Sequence, residues 1–357
     1  MSTAPLDRAE AFGARFGLRL PILLAPMAGA CPPGLSIAVA NAGGMGGCGA
    51  LLMPPEEIAG WMTAFRAGSN GAAQVNLWIP DPPPARDPAQ EARLRDFLGR
   101  FGPAVPEDAG DVPLQDFAAQ CEALLAARPA AISSIMGLYP PAMVQAMKAR
   151  GIAWFATVTT VAEALAAEAA GAEVIVAQGA EAGGHRGAFE AGRAEREAVG
   201  LFALLPAVVD AVRVPVVATG GIADARGVAA ALLLGASAAQ IGTGFLRTPE
   251  AAIHPAWAAA LGTARPEGTV VTRAFSGRPG RSLATSYALA AIAPEAPSPA
   301  PYPVQRGLTG PMRAAAQKAG DLQRMQVWAG QSAGLARIEP AGEIARRIWA
   351  EARAMLG

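Results

Sequence analysis

Pro215-Val-Val-Ala-Thr-Gly-Gly-Ile-Ala-Asp-Ala-Arg-Gly-Val-Ala-Ala-Ala-Leu-Leu-Leu-Gly-Ala-Ser-Ala-Ala-Gln-Ile-Gly-Thr-Gly244 reads as one strand–helix–strand unit. Val214–Thr219 is apolar at consecutive positions, as a strand covered on both faces requires. Gly220 and Gly221 end it, and Ala223–Leu234 has helical composition and stops at Gly235. Ala239–Gly242 is then the next strand. A helix between two such strands is the crossover that parallel pairing needs.

The same alternation extends towards the N-terminus. Strand-length apolar runs occur at Ile22–Ala25, Gly44–Ala50, Ala73–Trp78, Ala131–Met136, Trp154–Val158 and Val174–Gln178, which brings the total to eight. Helices are expected over Pro54–Arg66, with negative charge in its first turn, and over Thr160–Ala170, closed by Gly171. Eight strand–helix units predict an α/β fold of the closed (β/α)8 TIM barrel type, with a doubly wound open sheet as the structural alternative. Two segments fall outside the repeat. Pro80–Pro113, rich in proline and charge, is expected to lie over the C-terminal rim. Residues 248–336, with the proline-dense Pro294–Pro303, are expected to form a small helical cap inserted after strand eight. Ala341–Met355 would return as the eighth barrel helix, so the barrel comprises 1–247 and 337–357.

The composition suits a large core: of 357 residues, 52% are hydrophobic and 16% charged. Lys plus Arg and Asp plus Glu are 29 each, so there is no basic field to attract nucleic acid or an anionic membrane. Cys31, Cys48 and Cys121 form no CxxC pair, and neither a metal site nor a disulfide framework is indicated. Without a signal-like apolar segment, a cytoplasmic location is expected.

In barrels the loops after strands seven and eight habitually bind phosphate, because glycine lets backbone amides approach an anion closely. Gly220-Gly221 and Gly242-Thr243-Gly244 fit that role, although glycine also merely permits tight turns. Neither loop is a GxGxxG or P-loop motif, which argues against a dinucleotide or nucleoside triphosphate. Val174–Gln178 runs into Gly-Ala-Glu-Ala-Gly-Gly-His185-Arg-Gly187. A histidine in a glycine-rich rim loop is a candidate general base, or else it holds its own loop by hydrogen bonds. The other histidine of the chain, His254, reads as a turn residue at a helix start. Ala25-Pro-Met27 and Asn76 lie at the ends of strands one and three on the same rim.

Taken together, PILLAPMAG (21–29), NAGGMGG (41–47), QVNLW (74–78), VAQGAEAGGHRGAF (176–189), PVVATGGIADARG (215–227), AQIGTGFL (239–246), TRAFSGRPGR (272–281) and WAGQSAG (328–334) resemble the nitronate monooxygenase family. These are the 2-nitropropane dioxygenase-like FMN enzymes, and the bacterial class I branch is the most similar. The resemblance implies non-covalent FMN at the mouth of a TIM barrel, with Ala25 and Met27 bordering the flavin ring. It implies flavin or ribityl contacts from Asn76, Gln178 and Gly183, phosphate binding by Gly220, Gly221, Gln240, Ile241, Gly242 and Thr243, and His185 as the base. The implied reaction oxidises alkyl nitronates, and in some members nitroalkanes, with O2 to carbonyl compounds and nitrite through a flavin semiquinone. The chain would act as a monomer or homodimer. It departs from the pattern at Gly244, where arginine is usual, and at Thr285, where asparagine is usual. An FMN-dependent NAD(P)H reductase of enoyl thioesters or quinones on the same barrel is the principal alternative. An IMP dehydrogenase-like barrel would need a cysteine nucleophile on a rim loop, and a non-catalytic flavin binder would not need His185.

Overall fold

The computed structural model describes residues 4–357. Eight parallel strands form its centre: β1 (Ile22–Leu24), β2 (Gly46–Gly49), β3 (Ala73–Trp78), β4 (Ala131–Ile135), β5 (Ala153–Val158), β6 (Val174–Gln178), β8 (Val216–Thr219) and β9 (Ala238–Ile241). They are hydrogen-bonded in the order β1-β9-β8-β6-β5-β4-β3-β2. Met45 closes the ring between β2 and β1: its N–H donates to Ile22 O at 3.0 Å and its carbonyl accepts from Leu24 N at 2.9 Å. Gly47 permits this approach, since a Cβ there would lie 2.2 Å from Leu24 O. The fold is therefore the expected TIM barrel rather than an open sheet.

The apolar runs form strands because both their faces are covered. Every residue of β5, β6, β8 and β9 is buried. Helices Pro33–Ala42, Pro55–Gly68, Phe117–Ala127, Pro141–Ala149, Val161–Ala169, Leu201–Ala211 and Ala225–Leu233 cover the outside, and Ala341–Met355 completes the ring against the first and last of them. The end signals are as the sequence indicates: Thr160 caps Val161–Ala169 by accepting from Glu163 N, and Gly171 and Gly235 adopt φ of 101° and 106°. A further helix, Pro5–Phe16, plugs the N-terminal end, where the Phe12 and Phe16 rings lie 6.3 Å and 5.2 Å from that of Phe155.

The C-terminal mouth is roofed by the two segments outside the repeat. Residues 248–336 hold helices, among them Pro255–Thr263 and Gly310–Ala319, and also two strands, β10 (Thr269–Thr272) and β11 (Gly280–Leu283). The latter pairs on its other edge with β7 (Gly184–His185), a two-residue strand from the loop after β6. The insertion after β3 supplies helix Pro88–Leu98, whose Leu94 and Leu98 share one apolar cluster with Phe275, Tyr287, Leu308 and Met312. Among the described residues, no helix is long and apolar enough to cross a membrane.

Phe12 is 2% exposed and seals the barrel floor. Phe12→Ala should destabilise the protein by about 3 kcal/mol or more. The urea unfolding midpoint measures it, and an unchanged midpoint would refute the role of the plug.

Candidate active site

The ends of the barrel strands and the roof enclose a cavity of about 410 Å³. Ala25, Met27, Asn76, Gln178, Gly183, His185, Gly220, Gly221, Gln240, Gly242 and Thr243 all line it. Ile241 does not. Its side chain, 1% exposed, packs in the layer between strands and helices, because neighbouring residues of a strand face opposite ways. Only its backbone serves the rim, where its carbonyl accepts Ala25 N–H at 2.9 Å.

Gln178, at the end of β6, staples the histidine loop. Its Nε2 donates to His185 O at 3.0 Å and its Oε1 accepts from Gly187 N at 2.8 Å. Met136, one of two non-glycine residues with positive φ (69°) among the described residues, donates its N–H to Gly187 O at 3.2 Å from the end of β4. Such strain persists only where the surroundings enforce it. Arg186, buried, points away from the cavity and donates to Gly179 O at 2.6 Å. Gly183 must be glycine: a Cβ would lie 2.5 Å from Gly330 N.

The His185 ring stands between two tryptophans, with centroids 4.6 Å from Trp78 and 4.8 Å from Trp328. Its Nε2 lies 2.7 Å from Ser276 Oγ, which also receives Arg278 N–H at 3.3 Å. Burial, with the Arg278 and Arg306 guanidiniums nearby, pulls its pKa down to about 3. Neutral imidazole is therefore the state at working pH. Arg278 pairs with Asp81 at 3.4 Å, whereas Arg306 and Arg313, which also line the cavity, form no ion pair among the described residues.

At the ends of β8 and β9, the N–H groups of Gly220, Gly221, Gly242 and Thr243 have no acceptor within the described residues. Gly220 and Gly221 adopt φ of 110° and 68°, and a Cβ on Gly242 would come within 3.3 Å of both Ala25 Cβ and Met27 Sδ. A small concave set of unused amides suits a phosphate group and leaves room for a flat ring above β1. Asp224 caps the following helix itself by accepting from Gly227 N, so that helix end already has its acceptor. Gln240 is aimed by Gln74, whose Nε2 donates to Gln240 Oε1 at 2.7 Å, and Asn76 donates to Ser133 Oγ at 3.0 Å.

Several lining residues escape sequence reasoning: Trp78, Thr157, Ser276, Tyr302, Arg306, Arg313, Gln326 and Trp328. Ser276 and Trp328 stand within quoted motifs but carry no local sign of their role. Arg306 and Arg313 belong to a polar helical stretch that reads as surface. The alternation of Gln74 and Asn76 within an apolar strand was the one available signal for the inward Gln74.

The family model for nitronate monooxygenase matches residues 13–351. The chain belongs to the nitronate monooxygenase family. A nitronate monooxygenase of Pseudomonas aeruginosa is 38% identical over 350 residues, spanning 96% of this chain and 99% of the relative. A nitroalkane oxidase structure from Streptomyces ansochromogenes superposes with a TM-score of 0.87 at 36% identity, covering 97% of this chain and 100% of that one. FabK from Thermotoga maritima superposes at 0.72 with 27% identity, covering 97% and 96%. Membership makes the chain an oxidoreductase with a site for small molecules. The cysteines supply no rival nucleophile: all three are buried, and burial pushes Cys31 and Cys121 up to about 12 and Cys48 in the same direction.

With two histidines in the chain, the imidazole NMR spectrum is simple. The His185 ring signals should stay those of the neutral form from neutral pH down to about 4, given its pKa of about 3. A midpoint near the ordinary 6.5 would contradict the burial argument. The unfolded chain binds the proton that the folded site refuses, so stability should fall as pH drops below 6.5 and level off only near 3.

Proposed function

We propose that the chain is an FMN-dependent nitronate monooxygenase that oxidises alkyl nitronates, and nitroalkanes after deprotonation, with O2 to carbonyl compounds and nitrite. The observation that carries this is a neutral His185, fixed between Trp78 and Trp328, in a cavity with two arginines that lack carboxylate partners. A planar anion is what such a cavity is built to accept.

Gly220, Gly221, Gly242 and Thr243 would hold the FMN phosphate on their unused amides, with Gln240 beside them. Ala25, Met27 and Gly183 would border the flavin ring, and Asn76 and Gln178 would line its edge. Bound FMN supplies the electron acceptor and the centre that reacts with O2. The protein supplies the proton chemistry and the geometry. Ser276, accepting the Nε2 proton, leaves His185 Nδ1 free to take the proton from the carbon beside a nitro group. Burial makes a lone imidazolium costly, so the transfer is favourable only where an anion forms beside it. A nitroalkane provides that anion, and Arg306 and Arg313 add to its stabilisation. The roof excludes water from the pair and so strengthens each of these attractions.

A nitronate arrives ionised and does not need the base. His185→Asn should lower turnover of neutral nitroethane about a hundredfold or more and that of ethyl nitronate only severalfold, read by oxygen consumption. Equal losses would remove His185 from proton transfer. Arg306→Gln should raise KM for ethyl nitronate about tenfold with little change in kcat, and an unaltered KM would exclude an anion-binding role. The reductase reading is less favoured, because the relatives named for nitronate or nitroalkane oxidation match more closely than FabK. Anaerobic mixing separates the two. Reduction by ethyl nitronate and not by NADH or NADPH supports the monooxygenase; rapid bleaching by a nicotinamide, with nitronate inert, supports the reductase.

A further inference from the structure

A second and larger cleft, about 790 Å³, lies beside the active-site cavity, between the insertion after β3 and the roof. Leu51, Trp78 and Tyr302 belong to the walls of both spaces. The Trp78 ring lies 4.6 Å from His185 on one side and 5.3 Å from Tyr302 on the other. The cleft therefore begins one aromatic ring away from the candidate base.

Its walls are apolar: Pro82, Pro83, Pro84, Leu114 and Phe117 face it. The charged groups on its rim are already spent on one another. Arg86 pairs with Asp111 at 2.7 Å and with Glu91 at 2.6 Å, and Asp81 pairs with Arg278. Gln120 is used in holding the carbonyls of Ala50 and Met53. Among the described residues that line it, no unpaired charge remains to recognise an ionic tail, and Leu114 is left 53% exposed. An exposed leucine among prolines, in a cleft that shares walls with an enzyme cavity, is a surface suited to apolar substrate. Proline holds such a wall open at little entropic cost, since its backbone is already restricted.

We propose that this cleft binds the hydrocarbon tail of the substrate, so that the enzyme selects unbranched alkyl nitronates of medium length over the shortest ones. The nitronate head sits at His185 and the chain passes Trp78 and Tyr302 into the proline-lined cleft. The inference rests on the nitronate reading above and adds to it the class of substrate.

The test is a chain-length series of primary nitronates, from ethyl to octyl, with the flavin-loaded enzyme and with its Leu114→Glu variant. Leu114 has no part in the catalytic or cofactor site. Wild-type kcat/KM should rise about threefold for each added methylene beyond butyl. The variant should lose about tenfold on octyl nitronate and keep its rate on ethyl nitronate. A flat series with normal ethyl nitronate turnover would overturn the tail site alone. Equal losses on both substrates in the variant, or a rising series unchanged by it, would also overturn it. Failure to oxidise any nitronate would overturn the nitronate reading and this inference with it.

Discussion

The site depends on the pairing of two residues. Gly184–His185 joins the edge of the roof sheet, with Gly280 opposite His185 and Arg281 opposite Gly184. That short ladder fastens a barrel loop to a segment about ninety residues further along the chain, and the polypeptide between them contributes β8 and β9. Ser276 and Trp328, both from the roof, meet the His185 ring beside that ladder. A loop of five glycines and alanines before the histidine would otherwise wander. Gln178 holds the same loop from the barrel side, so the backbone around His185 is fixed from both the barrel and the roof.

Two electrostatic features mark the cavity. It offers backbone amides without acceptors at Gly220, Gly221, Gly242 and Thr243. It also offers guanidiniums without carboxylates at Arg306 and Arg313, beside a histidine kept neutral by burial and by the nearness of Arg278 and Arg306. Both favour anions, but by different means. Amides on a rigid turn suit a phosphate at short range, whereas guanidiniums attract and orient a planar anion.

Local chemistry was legible where the chain itself carries it. The eight strands could be read because strands covered on both faces are apolar at consecutive positions, and Gly171, Gly235 and Thr160 mark helix ends by backbone geometry that few residue types tolerate. Gly220, Gly221 and His185 could be read for the same reason: glycines with positive φ and a lone titratable ring are local signals. The direction of the Ile241 side chain was not legible, because a motif lists residues in sequence while a strand turns each second one away from the cavity.

The sequence by itself determined the barrel, the direction of its strands and the rim on which the glycine loops and His185 lie, because periodicity and turn chemistry are properties of neighbours along the chain. Only the tertiary structure decided which residues surround His185. Trp78, Ser276, Arg306 and Trp328 come from distant segments brought together by the roof sheet and its shared core with the insertion after β3. It also decided the protonation state of the histidine, since desolvation and the nearness of Arg278 and Arg306 exist only once those segments have packed.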